Sequence, residues 1–268
     1  MASCALKTIL ITGATDGIGL ETAKRLAVMG HHVLLHGRSA TKLEASRAAV
    51  SGTAGAYLAD LSNMSDVLKL AQAVSSDHDT LDVLINNAGV LKAPSTITAD
   101  GLDIRFAVNT LAPYVLARRL LPKMSNNGRI VNLSSAAQAP IDASALLGQK
   151  QLGDDMQAYS QSKLGITTWS RMLATELGQN GPLVVSVNPG SLLGTNMVRD
   201  AFGIPGNDVG IGADIVVRAA LSAEFEGRSG QYFDNDSEAF AAPHPAALDE
   251  RMASETMRIL EELAARTL

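Results

Sequence analysis

Residues 7–19 read KTILITGATDGIG, and the reading of this stretch decides the fold. KTILIT (7–12) is a short apolar run without polar alternation, as expected of a strand covered on both faces. TGATDGIG (12–19) follows at once and opens an amphipathic stretch over 17–29. Gly13 permits a tight turn, Gly17 lets the backbone approach a ligand, and Gly19 lets helix and strand pack closely. The free N–H groups at the start of that helix, aided by its dipole, would face a pyrophosphate. A glycine-rich turn by itself says little; a strand before it and a helix after it give it weight.

The rest of the chain repeats the rhythm. Further strand candidates lie at 32–36, 56–59, 81–86, 128–134, 183–188 and 230–234, with helical patterns at 41–50, 63–76, 99–124, 156–179 and 210–222. Alternation of this kind predicts one α/β domain over 1–268, a Rossmann-type doubly wound parallel sheet of about seven strands with helices on both faces. Ligands of such sheets bind beyond the carboxyl ends of the strands, so the chemistry belongs to the residues that follow each strand. Two segments break the pattern: an insertion at 136–155, and a Gly- and Pro-containing loop at 190–209 that is expected to act as a mobile lid over the substrate.

Composition narrows the function. The 268 residues are 46% hydrophobic and 18% charged, which suits a well-buried core. A net charge of -5 supplies no basic footprint for nucleic acid. No run of apolar residues is long enough to span a membrane, and the first strand follows an N-terminus without a charged leader, so a cytoplasmic protein is expected. The single cysteine, Cys4, allows neither an internal disulfide nor a cysteine-rich metal site, and the five histidines lack ligand spacing, so no metal is expected.

Residues 157–165, QAYSQSKLG, place Tyr159 and Lys163 four apart, on one face of the helix expected there. With them stand NNAG (86–89), Asn109, Ser135 in NLSSAA, and the Pro189-Gly190 turn. In this order, and over nearly the whole chain, these motifs resemble the short-chain dehydrogenase/reductase family. The resemblance implies a catalytic set of Asn109, Ser135, Tyr159 and Lys163. In it Tyr159 is the general acid/base, Ser135 hydrogen-bonds the substrate oxygen, and Asn109 holds a water that links Lys163 to solvent. An ammonium one turn away, with the oxidised nicotinamide, would lower the tyrosine from its usual value of about 10 by about two or three units.

The same resemblance assigns the dinucleotide to Gly13, Thr15, Asp16, Gly17, Ile18 and Gly19 at the first turn, and to Asp60 and Leu61 beside the adenine. Asn87 would line a ribose, Tyr159 and Lys163 the nicotinamide end, and Leu192, Thr195 and Met197 are candidates from the lid. Asn86 reads as a structural tie. Cofactor choice falls where the second strand ends, in LLHGRSATK, which has no acid before Arg38. An arginine fork pairs with a phosphate through two hydrogen bonds, so NADP(H) is favoured over NAD(H). Asp16 pulls the other way unless its carboxylate turns to the helix N–H groups.

Ser135 and Tyr159 are 24 residues apart. That wide spacing and the tail LDERMASETMRILEELA resemble the retinol-dehydrogenase-like branch, which implies a small apolar carbonyl or alcohol as substrate. An epimerase or dehydratase on the same scaffold, or a non-catalytic dinucleotide sensor, are the competing readings. The long patterns at 99–124 and 156–179 form subunit interfaces in many relatives, which leaves a homo-oligomer open.

Overall fold

The computed structural model describes residues 5–50 and 54–266; Cys4 lies outside them. Seven parallel strands, β1 (Thr8–Ile11), β2 (His32–Gly37), β3 (Ala54–Leu58), β4 (Val83–Asn86), β5 (Arg129–Leu133), β6 (Leu183–Asn188) and β7 (Tyr232–Asp234), match the seven apolar runs. An eighth, β8 (Ala239–Ala241), pairs antiparallel with β7, and the sheet order is β3-β2-β1-β4-β5-β6-β7-β8. The sheet is therefore mostly parallel and one strand wider than the sequence predicts. β8 is three residues long and follows a polar turn, so no period shows in it. The edge-to-face contact of Phe240 with Phe233, ring centroids 5.0 Å apart, holds it in place.

Strand residues alternate between two cores, which is why every central strand reads as a continuous apolar run. Leu10, Leu34, Leu84, Ile130 and Val184 face one way. They pack under α3 (Met64–Asp77), α5 (Ala112–Leu120), α7 (Asp155–Leu177) and the last helix, α10 (Glu250–Ala265). Ile9, Ile11, Val33, Leu35, Val131 and Val185 face the other way, under α1 (Gly17–Val28), α2 (Ala40–Ala49) and α9 (Val209–Leu221).

The pattern expected as one helix over 99–124 is divided. Residues 97–103 turn through Gly101 (φ +78°) and close an antiparallel bridge between Ile97 and Asp103. Asp103 then caps the short α4 (Ile104–Phe106), accepting from the Arg105 N–H at 2.9 Å. A π-turn over Ala107–Leu111 separates α4 from α5. The insertion is ordered: α6 (Ala143–Leu146) starts at Asp142, and Leu146 is buried in the core beneath α10. In the loop at 190–209 lies α8 (Asn196–Phe202), with Leu192, Phe202 and Ile204 exposed. From β1 the chain winds outward to β3, then returns to β4 on the other side of β1. The crevice between β1 and β4 lies at that reversal.

Candidate active site

The turn after β1 is fastened from below. Thr12 Oγ1 accepts from the Asn87 and Ala88 N–H groups, each at 3.1 Å. Asn87 Nδ2 donates to the carbonyls of Thr12 (2.8 Å) and Gly13 (3.0 Å). Gly13 (φ +65°) and Gly17 (φ +52°) take the left-handed conformation that favours glycine. A Cβ on Gly19 would lie 2.3 Å from the Gly13 carbonyl oxygen, so the start of α1 can sit this close to the turn only with glycine there. The Asp16 carboxylate caps α1 through the Gly17 N–H at 2.7 Å and also accepts from Asn196 Nδ2 on α8. It is directed to the helix start, the orientation that a neighbouring phosphate tolerates. Cradle, glycines and helix terminus together fit a pyrophosphate.

A cleft of about 780 Å³ runs from this turn across the strand ends to α7. Arg38, Ser39, Lys42, Asp60 and Leu61 line its β2–β3 end, and Tyr159 and Lys163 its far end. Arg38 is exposed and, among the described residues, has no carboxylate partner, so its guanidinium is available to a ligand. Asp60 Oδ1 accepts from the Ser62 N–H and hydroxyl, which stiffens the end of β3.

Tyr159 and Lys163 share one face of α7, with Nζ 5.6 Å from the ring centroid. Lys163 Nζ donates to the Leu133 carbonyl at 2.7 Å, tying α7 to the end of β5. Burial pushes the ammonium down to about 8 and pushes the Tyr159 phenol up; the Ser135 hydroxyl pulls the phenol the other way. The sequence predicts a tyrosine lowered by Lys163, whereas desolvation dominates both groups here.

Consecutive serines point to opposite sides, as the strand pleat requires. Ser134 Oγ bonds Thr167 Oγ1 (2.6 Å) and the Lys163 carbonyl (3.2 Å), a structural tie, while Ser135 faces Tyr159. Asn109, inside the π-turn, bonds both backbone groups of Val90 (2.8 and 2.9 Å) and donates to Ser162 Oγ (2.9 Å). Its side chain thus fastens the segment after β4 to α7. Asn86 Nδ2 donates to Asn132 Oδ1 at 2.8 Å, the structural tie expected of it.

Thr15, Ile18, Thr195 and Met197 line the cleft as the sequence suggests. Leu192 does not. It sits at φ +52° on the outside of the loop, 46% exposed, because the turn through Gly190 and Ser191 is tied to Asp236 and faces the next residue outward. Sequence reasoning missed the buttress of Ser135, whose carbonyl accepts from Gln138 Nε2 (3.0 Å) and Tyr232 Oη (3.2 Å). It also missed His36, whose only sequence signal is a polar ring ending an apolar strand.

A model of the short chain dehydrogenase family matches residues 7–203. The chain belongs to that family. Within it this dehydrogenase falls in the retinol-dehydrogenase-like branch: retinol dehydrogenase 13 of Mus musculus is 34% identical, covering 92% of this chain and 80% of its own. Among solved structures, a short chain dehydrogenase from Burkholderia cenocepacia in complex with NADP superposes with a TM-score of 0.67 at 27% identity, covering 85% of this chain and 95% of its own. The 3-ketoacyl-(acyl-carrier-protein) reductase of Brucella melitensis, complexed with NADH, gives 0.67 at 25%, with 85% and 96% covered. This short-chain dehydrogenase is accordingly an oxidoreductase that binds a nicotinamide cofactor. Relatives hold either dinucleotide, so the choice rests on the turn after β2. Among the described residues, no helix is long and apolar enough to cross a membrane.

Proposed function

We propose that this dehydrogenase interconverts a carbonyl and an alcohol, uses NADP(H) in preference to NAD(H), and moves the proton through Tyr159. The observation that carries the reading is the single cleft that joins the phosphate turn and Arg38 to Tyr159 and Lys163. When bound, the nicotinamide supplies or accepts a hydride. Burial keeps the Tyr159 phenol protonated at neutral pH, the state that gives a proton to the oxygen of a carbonyl undergoing reduction. Ser135, held by Gln138 and Tyr232, positions that oxygen beside the phenol and stabilises its developing charge. Lys163, still protonated at neutral pH, carries the positive charge that steadies a phenolate after the proton has left.

Arg38 and Lys42 offer two cations beside the Ser39 cap of α2, and among the described residues neither forms an ion pair with a carboxylate. That arrangement offers charge-assisted donors to a ribose 2′-phosphate, a pairing that a bare ribose hydroxyl does not gain. Beyond Gly89 the wall is made by Val90, Leu91, Ile104, Val108 and Met197, which fits a small apolar substrate.

The test is oxidation of NADPH, beside NADH, across a panel of aldehydes, ketones and diketones, with Tyr159→Phe as the control. Turnover that prefers NADPH and vanishes in the variant is expected. Full turnover by Tyr159→Phe would remove the tyrosine from the mechanism, and a preference for NADH would remove Arg38 from the cofactor site.

A further inference from the structure

His36 is the last side chain of β2 before Gly37 and is almost completely buried, 2% exposed, beneath the phosphate turn. Its ring touches two backbone groups from different elements. The Gly13 N–H lies 3.2 Å from Nδ1, and the Ala59 carbonyl lies 3.0 Å from Nε2. An amide N–H can only donate and a carbonyl can only accept, so the partners fix the tautomer: Nδ1 is bare and Nε2 carries the proton. Gly13 opens the turn that receives the pyrophosphate, and Ala59 immediately precedes Asp60 and Leu61, which line the same cleft.

We infer that His36 is a positioning residue for the dinucleotide: a neutral imidazole strut that sets the distance between the phosphate turn after β1 and the adenine-side end of β3. The inference rests on the reading of this cleft as a dinucleotide site. His36 lies at the cleft wall, but both ring nitrogens are taken by backbone groups rather than left for a ligand. It acts through the Gly13 amide, and its geometry selects one protonation state, since an imidazolium would set an N–H against the Gly13 N–H. Burial acts in the same direction and lowers the ring to about 4, with Asp60 as the charged group that opposes the shift.

Gly13 has few other means of holding its conformation. Among the described residues its amide has no backbone acceptor, and its carbonyl is already used by Asn87. The adjacent Ala14 N–H donates to the His36 carbonyl at 2.9 Å, so backbone and ring of one residue together grip two successive amides of the turn. Replacing the ring removes one of these grips and leaves the other.

Two substitutions separate positioning from packing. His36→Leu keeps bulk and removes both hydrogen bonds. His36→Asn loses bulk but places a carbonyl oxygen where Nδ1 stands, restoring the acceptor for Gly13 while being too short for Ala59. Binding of NADPH and of NADH is measured by fluorescence titration without substrate, and amide hydrogen exchange is measured over residues 12–19. Expected for His36→Leu is a loss of about tenfold in affinity, equal for the two dinucleotides, the effect of one buried donor left without its acceptor. Exchange of the Gly13 amide should accelerate in parallel. His36→Asn should recover most of both.

A His36→Leu variant with affinity within about twofold of wild type and unchanged Gly13 exchange overturns the inference, on the scale where a lost hydrogen bond is measurable. So does a His36→Asn variant as impaired as His36→Leu, because bulk alone would then be at work. Should the leucine variant not fold, the asparagine variant decides alone: native Gly13 exchange with near-native affinity supports the strut, and their joint loss refutes it. Failure of the wild type to bind either dinucleotide would instead refute the proposed function, and this inference with it.

Discussion

The Arg105 guanidinium is completely buried between two carboxylates, and replacing it tests how the catalytic helix is seated. Nε and Nη2 form a fork onto Asp103 at 2.7 and 2.5 Å, and Nη1 bonds Asp155 in the first turn of α7, one turn before Tyr159. Asp103 is 4% exposed, so Arg105→Met strands a carboxylate away from water. Loss of one partner from a buried pair costs about 3–5 kcal/mol. The Arg105 N–H remains as a partner of Asp103, which places the expected loss near the lower end, about 3 kcal/mol. Arg105→Met combined with Asp103→Asn removes the stranded charge but keeps the helix cap, so it should recover at least about half of that. Urea denaturation at neutral pH measures all four proteins, with the fluorescence of Trp169, the only tryptophan and fully buried, as the probe. A coupling energy above about 1.5 kcal/mol is expected from groups in direct contact. Coupling below about 0.5 kcal/mol would refute the argument, since the losses would then be independent.

Three further outcomes follow from the geometry. Arg38→Ala should weaken NADPH about tenfold or more and NADH by less than about twofold, because only the charge-assisted pair with a phosphate is lost; an equal loss in titrations of the two would refute the clamp. Gly19→Ala should abolish dinucleotide binding and lower Tm, since its Cβ would lie 2.3 Å from the Gly13 carbonyl oxygen; native affinity would show that the turn yields easily. His36, lowered from the ordinary histidine range to about 4, contributes stability that is complete above the unfolded value and is lost as pH falls toward the folded one. Between pH 7.5 and pH 5 the wild type should lose about 2 kcal/mol more than His36→Asn in urea denaturation, and identical slopes would exclude the histidine as the source.

The central strands were legible because burial on both faces leaves no polar alternation, and the first turn because Gly13, Gly17 and Gly19 each answer a steric demand. The elements that were not legible depend on contacts distant in sequence. β8 has no period in three residues and is placed by Phe240 against Phe233 and Phe225. The break in the helix expected at 99–124 comes from Gly101 and the Asp103 cap, local signals that the surrounding apolar pattern masks. At the site, residue identities could be read from motifs, but their environment could not. That Tyr159 and Lys163 are both governed by desolvation depends on how deeply α7 is set against β5. Gln138 and Tyr232 meet at the Ser135 carbonyl from segments far apart in the chain.

The last helix has a consequence for synthesis. Ile259, Leu260 and Leu263 of α10 belong to the same core as Ile166, Trp169 and Leu173 of α7. A ribosome that has released residue 241 has delivered every described strand and every residue of the candidate site, yet the part of this core that α10 covers is still bare. Nascent chains in this state show chaperones and proteases the apolar surface that marks unfinished folding. Covering it falls to residues 250–265, so a chain stopped before them carries its own mark for removal even though its chemistry is written in full.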